Sequence, residues 1–120
     1  PPAHLSARLT KTQLLIVTAL SYHESFHMSQ LASYLSFSKE QATRAAAPLV
    51  EAGLVERFAQ SENRTRVFLR LTAEGKTLAD ELRAQFSSQL KASVSASLSE
   101  SEQLELREAA ETLVRLLSKI

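Results

Sequence analysis

Glycine occurs only twice in the 120 residues, at Gly53 and Gly75, and both frame one short segment. The stretch from Leu35 to Gly75 therefore constrains the fold more than any other part of the chain. Gly53 supplies the left-handed conformation that stops a helix. After it, Leu54-Val55 open one strand. Val67, Leu69 and Leu71 then alternate along a second strand at the two-residue period of a half-buried hairpin. Gln60 to Thr65 form the polar loop between them, and Thr72 caps a new helix. Helix, hairpin and helix in that order describe a DNA-reading helix with a wing beside it.

The helices upstream announce themselves through caps. Thr10-Lys-Thr-Gln13 is a capping box, in which the Thr hydroxyl accepts a backbone N–H three residues on and Gln reaches back. It opens a helix over 10–22, with Leu14, Ile16, Val17 and Leu20 on its apolar stripe. Phe26-His27-Met28 suit a very short strand. Ser29 is expected to cap a short helix that turns Leu31, Ala32 and Leu35 inward. Ser36-Phe37 make a tight turn with Phe37 as its buried plug. Ser38-Lys-Glu-Gln41 is a second capping box and opens a helix over 38–51. Two helices joined by so short a turn match a helix-turn-helix.

Downstream of Thr72, Leu78, Leu82, Phe86, Leu90 and Val94 recur at four-residue steps along one long helix. Leu98-Ser99 breaks it, and Ser99-x-x-Glu102 caps another. That last helix carries Leu106, Leu113 and Ile120 at seven-residue spacing, with Leu117 beside them. This narrow seam suits packing against another helix, in the same chain or in a partner. The fold expected is mainly α with a small β-hairpin wing. A winged helix-turn-helix part spans 10–75, and a helical dimerisation part spans 76–120 together with 1–9.

Composition narrows the function classes. The chain has no cysteine, which excludes disulfides and thiolate metal sites. No apolar run approaches the roughly 20 residues needed to cross a bilayer. The first residues lack the charged-then-apolar order of a signal peptide. A cytoplasmic protein with no membrane partner is expected. The net charge of +1 conceals an asymmetry: eight Lys/Arg against five Asp/Glu over 1–72, and six against eight over 73–120. No nucleophile–base pattern and no Gly-rich phosphate loop is present, so no enzyme and no cofactor is expected.

The helix at 38–51 carries the main functional expectation. A DNA major groove about 12 Å wide admits one helix, read by its first two turns. Those turns offer Ser38, Lys39, Gln41, Ala42, Thr43 and Arg44. Gln pairs with adenine, Arg with guanine, and Ala or the Thr methyl packs on thymine. Ser38 and Lys39 are better placed for phosphate. At the wing, Asn63, Arg64 and Arg66 could enter the minor groove or bind phosphate. A protein-interaction module that no longer binds DNA is the competing reading.

Taken together, Leu9-Thr10-x-x-Gln13, Leu31-Ala32, Thr43-Arg44, Leu49, Gly53-Leu54-Val55-x-Arg57 and Leu71-Thr72-x-x-Gly75 resemble the MarR family of winged helix-turn-helix transcriptional regulators. The resemblance covers residues 9–78. It implies a homodimer on double-stranded DNA at a pseudo-palindromic operator, usually a repressor released by a small-molecule effector. Three departures stand out. The arginines at 64 and 66 sit on either side of the place where the family's wing arginine falls. Pro48 lies inside the reading helix and should kink it after the reading residues. Only nine residues precede Thr10, where the family has a longer helix; either the chain is truncated or the dimer leans on the 100–120 seam.

His23-Glu-Ser-Phe-His27 matches the zinc-peptidase pattern H-E-x-x-H. That chemistry needs both histidines on one helical turn. Here the match falls in a connection, and His4 is the one other histidine. A polar loop with solvated histidines is expected, and a regulatory metal site through His23 and His27 is the alternative.

Overall fold

The structure, a computed structural model, describes residues 9–60 and 63–120, with the side chains of 63–65 outside that description. The lead-in at 1–8, His4 and the two residues between the wing strands also lie outside it. Eight elements follow in chain order: α1 (Lys11–Tyr22), β1 (Phe26–His27), α2 (Met28–Leu35), α3 (Lys39–Glu51), β2 (Val55–Gln60), β3 (Asn63–Leu71), α4 (Ala73–Ser97) and α5 (Glu100–Leu117). The chain divides into two compact units, Pro1–Arg83 and Ala84–Ile120. No described helix is long and apolar enough to cross a membrane.

The first unit is a winged helix-turn-helix. The Thr10 capping box forms in full, with the Gln13 N–H donating to Thr10 Oγ1 (3.1 Å) and the Thr10 N–H to Gln13 Oε1 (3.0 Å). Ile16, Val17 and Leu20 of α1 meet Leu31 of α2, Ala46 and Leu49 of α3, Leu69 of β3 and Leu78 of α4 in one core. Ala42 and Ala46 are both fully buried, so α3 sits close against its neighbours. The three strands run antiparallel in the order β1-β3-β2.

Four local expectations need correction. The cap of α2 is His27, not Ser29. Its ring nitrogen accepts the Gln30 N–H, and Gln30 reaches back, so a histidine completes a capping box. Phe37 is only half-buried, not a plug. The turn is set instead by Ser36 in the left-handed region (φ 58°) and by the Phe37 N–H donating to the Ala32 carbonyl (2.8 Å). Ser38 forms half of its box, accepting the Gln41 N–H at 3.0 Å. The wing loop is shorter than 60–65, because the ladder continues to the Gln60–Asn63 pair across an irregularity at Ala59/Gln60.

The end of α3, the wing and α4 are tied together at one point. Gly53 adopts φ 76° and ends α3. The Thr72 N–H donates to the Leu54 carbonyl, and the Thr72 hydroxyl donates to the Gly53 carbonyl. That same hydroxyl accepts the Gly75 N–H at 3.0 Å and so caps α4. Gly75 packs so close that a Cβ there would sit 2.0 Å from the Leu54 carbonyl oxygen. Pro48 is accommodated within α3, which runs unbroken from Lys39 to Glu51.

The second unit contains the rest of α4 and α5. Ser99 and Glu102 complete the cap of α5. No residue of α5 is buried. The helix stops at Leu117, so Ile120 lies beyond it and the seven-residue seam does not reach that residue as helix.

Candidate nucleic-acid interface

At the start of α3, Ser38, Lys39, Gln41, Thr43 and Arg44 are all exposed. Ala42 is not. Its side chain is fully buried and cannot meet a thymine methyl, so it leaves the reading set. The physical reason is the helical period. At 100° per residue, Ala42, Ala46 and Leu49 share the inward face. The same rotation turns Glu40, Arg44 and Ala47 outward, and all three are exposed. Glu40 and Ala47 escaped the sequence reading, yet counting from the inward-facing Leu49 would have found them. Ala47 offers the methyl first assigned to Ala42, and Glu40 offers an acceptor for a cytosine amino group. Thr43 donates its hydroxyl to the Lys39 carbonyl (2.8 Å), which leaves its methyl as the outward contact.

The wing presents a different picture from a free basic tip. Asn63 and Arg64 lie at the start of β3, and their side chains fall outside the described residues. Arg66 stands within the strand, exposed, with Nη1 at 3.2 Å from Nε2 of His27. Arg70 is committed elsewhere. It lies 4.1 Å over the Phe58 ring and pairs with Glu56 at 2.6 Å. Both partners of that pair are about half exposed, so it adds little to stability.

The H-E-x-x-H match does not make its motif. His23 closes α1 in extended backbone, and Phe26-His27 form a strand, so the two histidines share no helical turn. Nor are they merely solvated. The His23 ring packs against Phe26 and Tyr34, each 4.8 Å away between centroids. His27 caps α2. Among the described residues, no cluster of three His, Asp or Glu could hold a metal ion.

Partial burial, then the charges of Arg66 and Lys39, lower the His27 pKa below its ordinary value. The sign of the linkage follows. The unfolded chain takes up this proton at higher pH than the folded one. The stability contribution is therefore present above about pH 6.5 and declines as pH falls through the folded value. Urea midpoints at pH 7.5 and pH 5.5 should fall further for the wild type than for His27→Asn, whose side chain caps without titrating. An equal fall in both would show that His27 does not titrate in this way.

Of the seam residues, Leu106, Leu113 and Leu117 are 46%, 58% and 56% exposed, and Ile120 is fully exposed. Leu104, Val114 and Leu116 add to this uncovered apolar surface.

A three-stranded sheet carrying the wing hairpin, a helix-turn-helix and a long helix after the wing define a winged helix-turn-helix protein. The MarR family model matches residues 9–67, and the chain belongs to the MarR family. An uncharacterized HTH-type transcriptional regulator of Bacillus subtilis (strain 168), YhjH, is 28% identical over 72 residues. That match spans 60% of this chain but 41% of YhjH, well under half of that relative's length. The crystal structure of YusO from Bacillus subtilis is 25% identical, with a TM-score of 0.75 over 89% of this chain and 75% of YusO. Streptococcus pneumoniae FabT, solved in complex with DNA, shares the fold at 19% identity. Its TM-score is 0.68, over 93% of this chain and 78% of FabT.

Proposed function

We propose that the chain is a sequence-specific DNA-binding regulator that acts as a homodimer on a pseudo-palindromic operator, as a repressor released by a small ligand. The observation that carries this reading is the exposed polar start of α3, held rigid from behind by buried Ala42, Ala46 and Leu49. A reading helix needs that combination, since base contacts depend on a backbone that does not shift. Gln41, Thr43 and Arg44 read bases, with Glu40 and Ala47 beside them. Ser38 and Lys39 hold phosphate, and the wing residues Asn63, Arg64 and Arg66 reach the backbone or the minor groove. The uncovered leucines of α5 supply the dimer contact. An open groove of about 740 Å³, lined by Tyr22, Lys76 and Arg83 among others, has room for the effector.

Arg44→Ala should weaken binding to the region upstream of the protein's own gene by about 1–3 kcal/mol and relax preference at one base position. Gel shift at several salt concentrations measures both. Unchanged affinity and preference would remove Arg44 from the reading set. Absence of any shift by the wild type, even at low salt, would favour a protein-interaction module instead.

A further inference from the structure

His27, Arg66 and Lys39 come from the starts of α2 and α3 and from the wing strand β3. Nδ1 of His27 accepts the Gln30 N–H at 3.3 Å, and the His27 backbone N–H donates to Gln30 Oε1 at 3.1 Å. With Nδ1 engaged as an acceptor, a neutral ring carries its single proton on Nε2. Yet Nε2 lies 3.2 Å from Nη1 of Arg66, and a guanidinium has only donors. In that tautomer two N–H groups converge at hydrogen-bonding distance, and no carboxylate among the described residues pairs with either. The positive charges of Arg66 and Lys39 bear on the same ring. Among the described residues, Gln30 on α2 and Phe68 on β3 also face the imidazole and are neutral, the Phe68 ring edge-on at 5.6 Å. The ion pairs of the described residues, Glu56–Arg70 and Asp80–Arg83, involve none of the three.

We propose that this cluster is a seat for one backbone phosphate of DNA, in which the His27 Nε2–H and the Arg66 guanidinium donate to a shared phosphate oxygen and Lys39 adds its charge. The seat rests on the DNA-binding reading but not on base recognition. A phosphate oxygen supplies one acceptor to both donors, and its negative charge complements the two cations that act on the ring. His27 serves as a neutral donor, because protonating Nδ1 would break the cap of α2. Its lowered pKa keeps it in that form. The second histidine of the H-E-x-x-H match thereby gains a role unrelated to metal.

The test measures fluorescence anisotropy with two duplexes: the protein's own upstream region and an unrelated duplex of equal length at low salt. His27→Asn preserves a capping oxygen and removes the Nε2–H. It should weaken both duplexes by about fivefold with an unchanged salt slope, because the lost donor is neutral. Arg66→Gln should weaken both and flatten the slope by about 0.9. The double variant should be little weaker than Arg66→Gln alone, since one shared oxygen couples the two donors. Arg44→Ala, acting on the upstream duplex only, reports base reading separately.

If His27→Asn leaves both affinities unchanged while Arg44→Ala loses the upstream duplex, the seat is overturned and base reading stands. Full additivity of the His27 and Arg66 effects overturns it too. If the wild type prefers neither duplex yet His27→Asn weakens both, the seat stands and sequence reading fails. Binding of neither duplex ends both. Nitrogen-15 imidazole spectra of the free protein give a second readout. An Nδ1-protonated ring, with Nε2 accepting from Arg66, would overturn the seat.

Discussion

Gly75→Ala is expected to cost at least about 3 kcal/mol of folding stability and to lower the melting temperature by roughly 10–20 °C. The usual effect of this substitution inside a helix is the opposite, a gain of about 0.5–1 kcal/mol. The sign reverses here because the added methyl would stand 2.0 Å from the Leu54 carbonyl oxygen and 3.1 Å from Leu71 Cδ2. The carbonyl is backbone, and the Thr72 N–H holds it in place, so it cannot swing aside. Relief requires α4 to lift away, which pulls Leu78 and Ala79 from the core. Gly53→Ala is the internal comparison. Its φ of 76° strains any side chain, but the nearest atom is the mobile end of Glu74 at 3.3 Å. A loss of about 1–2 kcal/mol is expected there. Thermal melts followed by circular dichroism rank the two. A Gly75→Ala chain as stable as the wild type would mean that the close approach does not exist.

In the proposed dimer, the double change Leu106→Asp with Leu113→Asp is expected to abolish self-association. In a two-fold dimer each substitution acts twice, removing partly exposed leucines from cover and placing carboxylates at the contact. The summed loss is on the order of 5 kcal/mol, several thousandfold in a dissociation constant. Sedimentation equilibrium reads it directly. The winged unit has its own core, so its cooperative unfolding should survive in the monomer. Operator affinity should fall with the dimer, since two half-sites no longer share one binding event. A wild-type chain that sediments as a monomer at micromolar concentration would remove the basis for this contact.

Much of the fold was legible because its signals are local. The Thr10 and Ser99 capping boxes marked their helix starts within a residue, since each is a reciprocal contact between side chains three positions apart. The wing followed from its alternating apolar residues and from Gly53. What escaped depends on contacts across the chain. Ala42 and Ala47 are the same residue type, and which one faces out follows from the helical period only once α3 is known to pack Leu49 inward against its neighbours. His27 could not be recognised as a cap from composition, because histidine at that position works only as the neutral tautomer with Nδ1 aimed along the helix. Arg66 looked like a tip residue, but β3 begins at Asn63, so Arg66 stands within the strand at the irregularity between the Asn63 and Val67 pairs. Register, roll and tautomer are settled by packing, and a single sequence encodes them only jointly.

The exposure of the α5 leucines has a thermodynamic corollary. No residue of this helix is buried, and helices in proteins draw most of their stability from packing an apolar face rather than from propensity. In the dimer proposed above, association adds to the free energy that keeps it ordered, and mass action makes that share depend on how many copies are present. Dilution should melt the second unit before the first, so its apparent melting temperature becomes a gauge of abundance. A dimer built this way couples the dosage of the chain to the order of its second unit.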